Sequence, residues 1–337
     1  MQRRSSALAP LIPVRRSLIQ RSIMSWQSST RTRQAPPVQP TPLPAQVAEW
    51  ARTRLGTITP WLLPADFSGA RSWRVSAPQG LIDIRVTRHD LDFRREVQAY
   101  RVAIHRLGPA NGPRLIASEA RLRALLITHP RGRPVDGEVS LHVLPRVHED
   151  AGRLLAVLHR SVERVPDAAA LGVRHLAHYI QRILYLLERI DSWLSPEEAE
   201  VIRRSTDRLL HRSEELPVAF CHGTFATSSW RWNIQGQTLS LTDLGRAQVL
   251  PAVCDFTRTA ALWATHAHLA EAFFAAYGRK LSDAEQLVLD DAAIVAAVED
   301  LHRAIASRDG DTLSSAGAAL REAMRHRPSI GRHEESA

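Results

Sequence analysis

Cysteine is scarce in this 337-residue chain, which contains only Cys221 and Cys254 and no C-x-x-C pair. This scarcity excludes a small disulfide-stapled scaffold and a zinc site built from cysteines. No apolar run approaches the roughly 18 residues that a transmembrane helix needs, so we expect no membrane partner. With 44% hydrophobic and 23% charged residues, the composition is that of a globular protein with a sizeable core.

Two glycine-rich phosphate-binding motifs are also missing. The chain contains neither the G-x-G-x-x-G of dinucleotide-binding folds nor the Walker-type G-K-[ST], so neither kind of protein is indicated. Lysine is nearly absent, because Lys280 is the only lysine among 44 basic residues. We attribute this preference for arginine to genome composition.

Acidic residues are absent before Glu49, whereas the first 48 residues contain seven arginines. This segment therefore carries +7 of the net charge of +9, and the remaining chain is near neutral. Because the positive charge lies in a tail and not in a basic groove, we expect no nucleic-acid partner.

Residues 1–45 are rich in serine, arginine, glutamine and proline and predict a disordered extension. An acid-free, arginine-rich start resembles an organellar transit peptide, but a plain disordered extension, or a true start at Met24, are alternative interpretations. The segment lacks the pattern of a secretory signal, and we expect a cytoplasmic protein. Residues 326–337 predict a disordered tail.

The first half of the remaining chain has short β-type patterns around one amphipathic helix. The helix starts at Asp90 and places Phe93, Val97 and Tyr100 at spacings of three and four residues. Period-two alternation and turn residues predict the other elements. These are a helix over 45–55 and strands over 67–75, 80–86, 113–117 and 124–128.

The second half has long helical patterns with one strand-rich interruption. The 3.6-residue period predicts helices over 147–158, 171–190, 196–210, 255–276 and 284–304. Strand-like runs fall at 218–222, 230–234 and 238–243. A small β-rich lobe, here 46–134, followed by a larger, mainly helical lobe with an internal hairpin, here 135–325, is the plan of a two-lobed α+β protein-kinase-like fold.

Motifs in the right order then point to a family. The strongest are Phe220-Cys-His-Gly-Thr-Phe-Ala-Thr-Ser-Ser-Trp230 and, a few residues on, Leu241-Thr-Asp-Leu-Gly245. Many aminoglycoside phosphotransferases, which are kinase-like enzymes, have C-H-G-D-F-x-P-R-N-W and then I-D-F in this frame. The chain resembles that family over residues 62–320, with a degenerate catalytic loop. Supporting motifs are Phe93-Arg-Arg-Glu-Val-Gln-Ala-Tyr100, Leu126-Ile-Thr-His-Pro-Arg-Gly-Arg-Pro134, Ala151-Gly-Arg-Leu-Leu-Ala-Val-Leu-His159 and Cys254-Asp-Phe256.

The resemblance implies ATP and magnesium as cofactors, and a small-molecule or peptide hydroxyl as the phosphoryl acceptor. It places His222 and Thr224 at the catalytic positions, but Thr224 stands where the family has the catalytic Asp and cannot act as a base near neutral pH. Ser229 stands where the family has a metal-binding Asn and is a poorer magnesium ligand. Asp243 keeps the position of the metal-binding Asp.

The resemblance also indicates a nucleotide-binding region. Arg85, eleven residues before Glu96, corresponds to the phosphate-binding lysine and its glutamate partner, and arginine keeps the charge with a different geometry. Ser68 and Gly69 lie in the turn that would cover the nucleotide. If the family resemblance is set aside, the alternative interpretation is that Asp243 is a solvated turn residue and that Arg85 and Glu96 form a weak surface ion pair.

Three functions remain open from the sequence. The first is a pseudokinase with impaired or lost phosphotransfer, which retains magnesium-nucleotide binding and acts by binding a protein partner or small molecule. The second is an active ATP-dependent O-phosphotransferase, and the third is a partner-binding protein without nucleotide. Acids on the C-terminal helices either attract a cationic acceptor or form ordinary solvated faces; they are Glu271, Asp290, Asp291, Glu299 and Asp300.

Overall fold

The computed structural model describes residues 42–63, 70–135, 139–307 and 309–325, and these residues form two lobes of an α+β fold. The first lobe has five main strands and two helices. In chain order they are α1 (Ala45–Leu55), β1 (Thr59–Leu62), β2 (Arg71–Ala77), β3 (Gly80–Val86), α2 (Asp90–Val102), β4 (Leu115–Glu119) and β5 (Ala124–Thr128).

The five strands form one antiparallel sheet in the order β1-β2-β3-β5-β4. Alternation in β3 separates its side chains: Ile82 and Ile84 belong to the same apolar cluster as α1, whereas Asp83 and Arg85 point to the opposite face. The sheet therefore has an apolar face covered by α1 and a face with buried charges directed toward the rest of the molecule.

The second lobe is mainly helical and carries two small sheets. Its elements are β6 (Arg133–Pro134), α3 (Leu144–Arg160), α4 (Ala168–Ile190), α5 (Pro196–His211), β7 (Val218–Cys221), β8 (Trp230–Asn233), β9 (Thr238–Leu241), β10 (Gln248–Pro251), α6 (Thr257–Thr265), α7 (Ala267–Tyr277), α8 (Asp283–Ser307) and α9 (Gly310–Arg325). Strand β7 pairs with β10, and β8 lies between β6 and β9.

Local sequence explains where several elements begin. Helix α5 starts at Pro196 behind a capping box, in which the Ser195 hydroxyl accepts from the Glu198 amide and the Glu198 carboxylate accepts from the Ser195 amide. In the hairpin of β8 and β9, Trp230 and Trp232 lie on one face and are buried in the core. These aromatic side chains anchor the hairpin, whose first strand directly follows the loop that contains Thr224 and Ser229.

One predicted helix is wrong. The run 255–276 is two helices, α6 and α7, separated at His266, whose backbone is not helical. Asp255 precedes α6 in a short 3-10 turn, and its carboxylate accepts hydrogen bonds from backbone amides of another segment. Strands β1 and β10 and helix α9 were not predicted, since β1 and β10 are four residues long and each contains a proline that interrupts the pattern.

The other predicted elements are confirmed with small shifts at their ends. Of the strand expected over 67–75, residues 67–69 lie outside the described residues and the remainder belongs to β2. Most of the predicted N-terminal extension and the predicted tail also lie outside them. Among the helices that the structure describes, none is both long enough and apolar enough to span a membrane.

Candidate active site

The loop that follows β7 is held in a fixed shape by a glycine. Gly223 has a positive φ of +83°, and a Cβ built on it would lie 2.4 Å from the carbonyl oxygen of Arg246. A side chain at this position would therefore strain the backbone and collide with the segment that follows Asp243. The glycine of the family motif thus brings the loop containing Thr224 against the segment containing Asp243.

Asp255 holds the backbone of the same loop through hydrogen bonds. Its fully buried carboxylate accepts hydrogen bonds from the backbone N–H of His222 at 2.6 Å and of Gly223 at 2.8 Å, and it lies 3.0 Å from Nε2 of His159. Burial opposes ionisation, but these hydrogen bonds and the charge of His159 hold the pKa of Asp255 below its usual value. Asp255 is therefore an ionised anchor for the loop backbone.

Asp255 also belongs to a group of three buried side chains, together with His159 and Cys221. An imidazole nitrogen, the sulfur and a carboxylate oxygen of these residues all lie within 4.8 Å of one another. Each has its own partners: His159 Nδ1 is 2.7 Å from the Tyr277 hydroxyl, and the Cys221 thiol donates to the carbonyls of β10. Burial raises the pKa of the Cys221 thiol well above its usual value, so the sulfur stays protonated. We interpret the group as a structural hydrogen-bond network.

Thr224 is buried, and its hydroxyl donates to the backbone carbonyl of Asp243 at 3.1 Å. The same hydroxyl lies 3.3 Å from Nδ1 of His222. Burial lowers the pKa of His222, so this imidazole is neutral near pH 7. At the position where the resemblance expects a carboxylate, the chain therefore has a hydroxyl that links the loop to the segment of Asp243.

Ser229 uses its hydroxyl to close a short 3-10 turn. Its Oγ donates to the carbonyl of Ala226 at 2.8 Å and accepts from the Ala226 amide at 3.3 Å. The carbonyl of Ser229 accepts from both the amide and the hydroxyl of Thr242. These contacts hold the Ser229 hydroxyl within the turn, and its role as a metal ligand stays a prediction.

Asp243 lines a cleft that also contains Arg85. Its backbone has a left-handed conformation, with φ at +62°. Such a φ is uncommon for residues other than glycine, and strained residues concentrate at functional sites. Magnesium in nucleotide sites uses one or two carboxylates and takes its other ligands from phosphates and water. Asp243 supplies the minimum of one carboxylate, so the residues present fit a magnesium ion that arrives with a nucleotide.

Arg85 of β3 and Glu96 of α2 form the expected ion pair, with 2.7 Å between Nε and Oε1. The side chains are only 9% and 0% exposed, so the interpretation as a surface ion pair is wrong. Removing one partner of a buried pair leaves the other charge unpaired in a low-dielectric environment, which strongly destabilises the folded protein. Arg85 and Asp243 line the same cleft, as the resemblance implies.

The cleft also contains charged residues that the sequence analysis did not identify. Its volume is about 140 Å³, and Asp83 and Arg74 line it together with His129. Arg74 Nε donates to Asp83 at 2.9 Å, and His129 Nδ1 lies 3.0 Å from the same carboxylate. Burial would raise the pKa of Asp83, but these two partners hold it below its usual value. The position of Asp83, two residues before Arg85 on a strand, could have placed it on this face.

Ser68 and Gly69, predicted to cover the nucleotide, lie outside the described residues. The other predicted site residues are brought together: His222, Thr224 and Ser229 lie around the loop, and Asp243 contacts that loop through its backbone.

Arginines neutralise the acids that a cationic acceptor would need. Glu299 of α8 is buried, and Arg246, Arg182 and Arg258 surround its carboxylate. Although burial opposes it, the charge of these arginines lowers the pKa of Glu299 to about 2. Asp300 pairs with Arg258 and Arg303, and Asp291 pairs with Arg208. Three of the five acids named from the sequence are therefore already paired.

Acid should destabilise the protein through Glu299. Its pKa is about 2 when folded against 4.5 ordinarily, so its contribution is present above pH 4.5 and is lost as the pH falls toward 2. Protonated Glu299 resembles glutamine. We therefore expect the difference in unfolding free energy between the wild type and Glu299→Gln, measured by urea unfolding, to shrink between pH 6 and pH 3. A difference that stays constant would contradict this.

Comparison with known proteins agrees with the geometry. A sequence profile described as the phosphotransferase enzyme family matches residues 63–288. No curated protein sequence matches the chain. Among solved structures, the GDP complex of the wild-type aminoglycoside 2'-phosphotransferase-IIIa is similar with a TM-score of 0.61 at 13% identity, covering 83% of this chain and 96% of that one.

Two further structures share the fold. A Plasmodium vivax ethanolamine kinase has a TM-score of 0.58 at 12% identity, covering 82% of this chain and 85% of that one. A macrolide 2'-phosphotransferase type I has a TM-score of 0.56 at 16% identity, covering 82% and 95%. These identities carry the fold alone. Since the family profile spans two thirds of the chain, the protein belongs to the phosphotransferase enzyme family and has its two-lobed, kinase-like fold.

Proposed function

We propose that the protein binds a nucleotide between its lobes but has severely impaired phosphotransfer. The observation that carries this proposal is Thr224, which is buried and donates its hydroxyl to the Asp243 carbonyl where a catalytic carboxylate is expected. General-base catalysis contributes roughly 10²- to 10⁴-fold to the rates of enzymes that use it. A chain without that base loses about this factor and keeps what the other residues supply.

Arg85 is the residue that binds the nucleotide phosphates. Its guanidinium is oriented by Glu96, and it can donate two hydrogen bonds to a phosphate group. Asp243 would hold a magnesium ion that arrives with the nucleotide, and this ion would neutralise phosphate charge. These two roles need no base, so nucleotide binding is separable from phosphotransfer in this site.

Nucleotide binding requires the cleft to widen. Its volume of about 140 Å³ is below the roughly 300 Å³ at which small-molecule sites begin. Arg74 and His129 both contact Asp83 from the walls of the cleft. The nucleobase of an incoming nucleotide would have to displace or contact them. We therefore expect binding to involve a small separation of the lobes.

A second candidate function is partner binding without nucleotide. The observation that favours it is the same narrow cleft, in which Asp83 places a negative charge among the residues that would surround the nucleotide. In this alternative the buried Arg85–Glu96 pair is purely structural.

Thermal unfolding of the full chain with ADP, with and without magnesium, tests the proposal. At a hundredfold excess over the dissociation constant, ADP should stabilise the folded state by about 2.7 kcal/mol. The double variant Arg85→Met/Glu96→Leu should fold, because apolar residues of similar volume replace a buried ion pair at little cost, and it should lose this stabilisation.

Asp243→Asn tests the dependence of nucleotide binding on magnesium. Its control is Asp207→Asn, on the exposed side of α5. The magnesium-dependent part of the stabilisation should vanish in Asp243→Asn alone. No stabilisation of the wild type by ADP or ATP would overturn the proposal and favour the second candidate.

A further inference from the structure

A groove of about 540 Å³ lies between helix α2 and strand β4 of the first lobe. It is lined by α2 over residues 93–102 and, on the side of β4, by residues 118 and 120, and we name it the α2–β4 groove. Its volume falls within the roughly 300 to 1,000 Å³ of ligand sites. The α2–β4 groove and the cleft that contains Arg85 share no lining residue, so the groove is a separate candidate site.

The base of the α2–β4 groove is apolar. Phe93 and Val97 of α2 line it and are buried in a core cluster, and Val102 packs against the same cluster. On the other side of the groove, Ser118 of β4 is paired in register with Leu125, which belongs to that cluster too. The Ser118 side chain therefore lies on the face of the sheet that α2 covers. The groove offers an apolar surface on which a side chain of an incoming molecule can be buried.

The lining of the α2–β4 groove includes two arginines and no acidic residue. Arg94 and Arg101 are exposed, and within the part of the chain that the structure describes neither makes an ion pair. They are seven residues apart, so they lie on the same side of α2, about 10.5 Å from each other along the helix. The carboxylate of Glu119 in β4 accepts a hydrogen bond from the Arg121 amide. The charge of the groove therefore favours a negatively charged occupant.

Strand β4 is at the edge of its sheet. It pairs with β5 on one side, and among the described residues no strand pairs with its other side. An edge strand presents backbone N–H and C=O groups with which an extended chain can pair. A bulge between Leu115 and Ala117 interrupts the ladder with β5, so regular pairing runs over residues 117–119. A peptide that pairs with these residues would lie beside α2 and direct alternate side chains into the α2–β4 groove.

We propose that the α2–β4 groove binds an extended acidic peptide of a partner protein, which adds a strand to β4. Alternate side chains of an extended chain lie on one face, about 6.7 Å apart. An apolar side chain enters the groove, and the carboxylates two positions before and after it pair with Arg94 and Arg101. The N-terminal segment of this chain does not have that chemistry, because its first 48 residues contain seven arginines and no acid. The occupant is therefore a different protein.

Selection from a phage-displayed library of random octapeptides, with the immobilised full chain as the target, identifies the peptides that bind. We expect the enriched sequences to have an apolar residue with aspartate or glutamate two positions before and after it. The same selection on Arg94→Glu/Arg101→Glu should not enrich them. Failure to enrich any sequence on the wild type, or enrichment of the same sequences on both proteins, would overturn the proposal.

Fluorescence polarisation of the most enriched peptide, synthesised with a dye, measures its dissociation constant. The constant should rise tenfold or more in Arg94→Glu/Arg101→Glu, because two attractive contacts become repulsive. The matched control is Arg52→Glu/Arg54→Glu, which makes the same change of charge at two exposed positions of α1, on the opposite face of the sheet. The control should bind like the wild type. An equal change in the two double variants, or no change in either, would contradict the proposed site.

Methylation of the peptide backbone tests the addition of a strand. In an added strand, alternate amides point toward β4 and the others point away from it. We expect that N-methylation of one alternating set of amides weakens binding tenfold or more, whereas N-methylation of the other set leaves it nearly unchanged. Equal effects of the two sets would show that the peptide does not pair with the edge of β4.

Two further measurements separate this proposal from its alternatives. A wild type that sediments as a dimer, while Arg94→Glu/Arg101→Glu sediments as a monomer, would identify a second copy of this chain as the occupant and overturn the proposal. ADP should stabilise the wild type and this double variant equally, because the α2–β4 groove and the cleft share no lining residue. Peptide binding that depends on Arg94 and Arg101 in a protein that ADP does not stabilise would support the groove and contradict nucleotide binding.

Discussion

The double variant Thr224→Asp/Ser229→Asn should increase ATP turnover by roughly 10²- to 10⁴-fold. The first change restores a carboxylate to the loop, and the second restores an amide oxygen as a metal ligand. The loop backbone is already held by Gly223 and Asp255, so neither change needs a new loop shape. Phosphate release from ATP, with water as the acceptor, measures the effect.

The matched control is Thr224→Asn/Ser229→Asn, which has the same size and lacks the carboxylate. It should show little or no gain, because an amide does not accept the hydroxyl proton. The Thr224 hydroxyl donates to the Asp243 carbonyl, so a carboxylate at this position must rotate away from that oxygen and toward the cleft. Equal turnover in the two double variants would contradict the assignment of Thr224 as the missing base.

Asp255→Ala should lower the free energy of unfolding by about 3 to 5 kcal/mol. The substitution leaves the backbone N–H groups of His222 and Gly223 buried without acceptors and removes the partner of His159. Urea unfolding at pH 7 measures this loss. We expect the damage to centre on the loop, so any nucleotide turnover should fall with stability.

Asp255→Asn keeps one acceptor oxygen and removes the charge, so its stability should lie between those of the wild type and the alanine variant. This second variant keeps the prediction testable if Asp255→Ala does not fold. Because the pKa of Asp255 is lowered by folding, its contribution is present above its ordinary value of 3.8 and is lost as the pH falls through the folded pKa. An Asp255→Ala protein within 1 kcal/mol of the wild type at pH 7 would contradict the anchoring role.

The small lobe could be predicted because its strands follow simple alternation. In β3, Ile82 and Ile84 alternate with Asp83 and Arg85, and the structure places the two pairs on opposite faces. The long helices of the second lobe likewise have a clear 3.6-residue period. The break at His266 could not be predicted, because apolar residues continue on both sides of it and no glycine or proline marks the boundary.

The order of motifs predicted a set of candidate site residues, and the structure shows contacts among them that spacing alone could not. The sequence left open whether Arg85 and Glu96 formed a surface pair, since burial depends on the packing of α2 against the sheet. The contact between the Thr224 hydroxyl and the Asp243 carbonyl joins residues 19 positions apart. Spacing gives residue types and order, whereas burial and hydrogen-bond partners follow from the tertiary fold.

The arginines around Glu299 were missed for the same reason. Arg182, Arg246, Arg258 and Glu299 come from four separate segments of the chain, and no local pattern connects them. The strong preference for arginine in this chain also made single arginines uninformative in the sequence. Only their convergence on one carboxylate distinguishes them from arginines on solvated helix faces.

We expect the site to bind ATP and to fail at the chemical step. One measurement tests both expectations, namely equilibrium binding of ATP with magnesium to the full wild-type chain, with phosphate release followed in the same sample. We expect saturable binding together with phosphate release about 10²-fold or more slower than that of Thr224→Asp/Ser229→Asn. Turnover by the wild type equal to that of the variant, or no binding at all, would contradict these expectations.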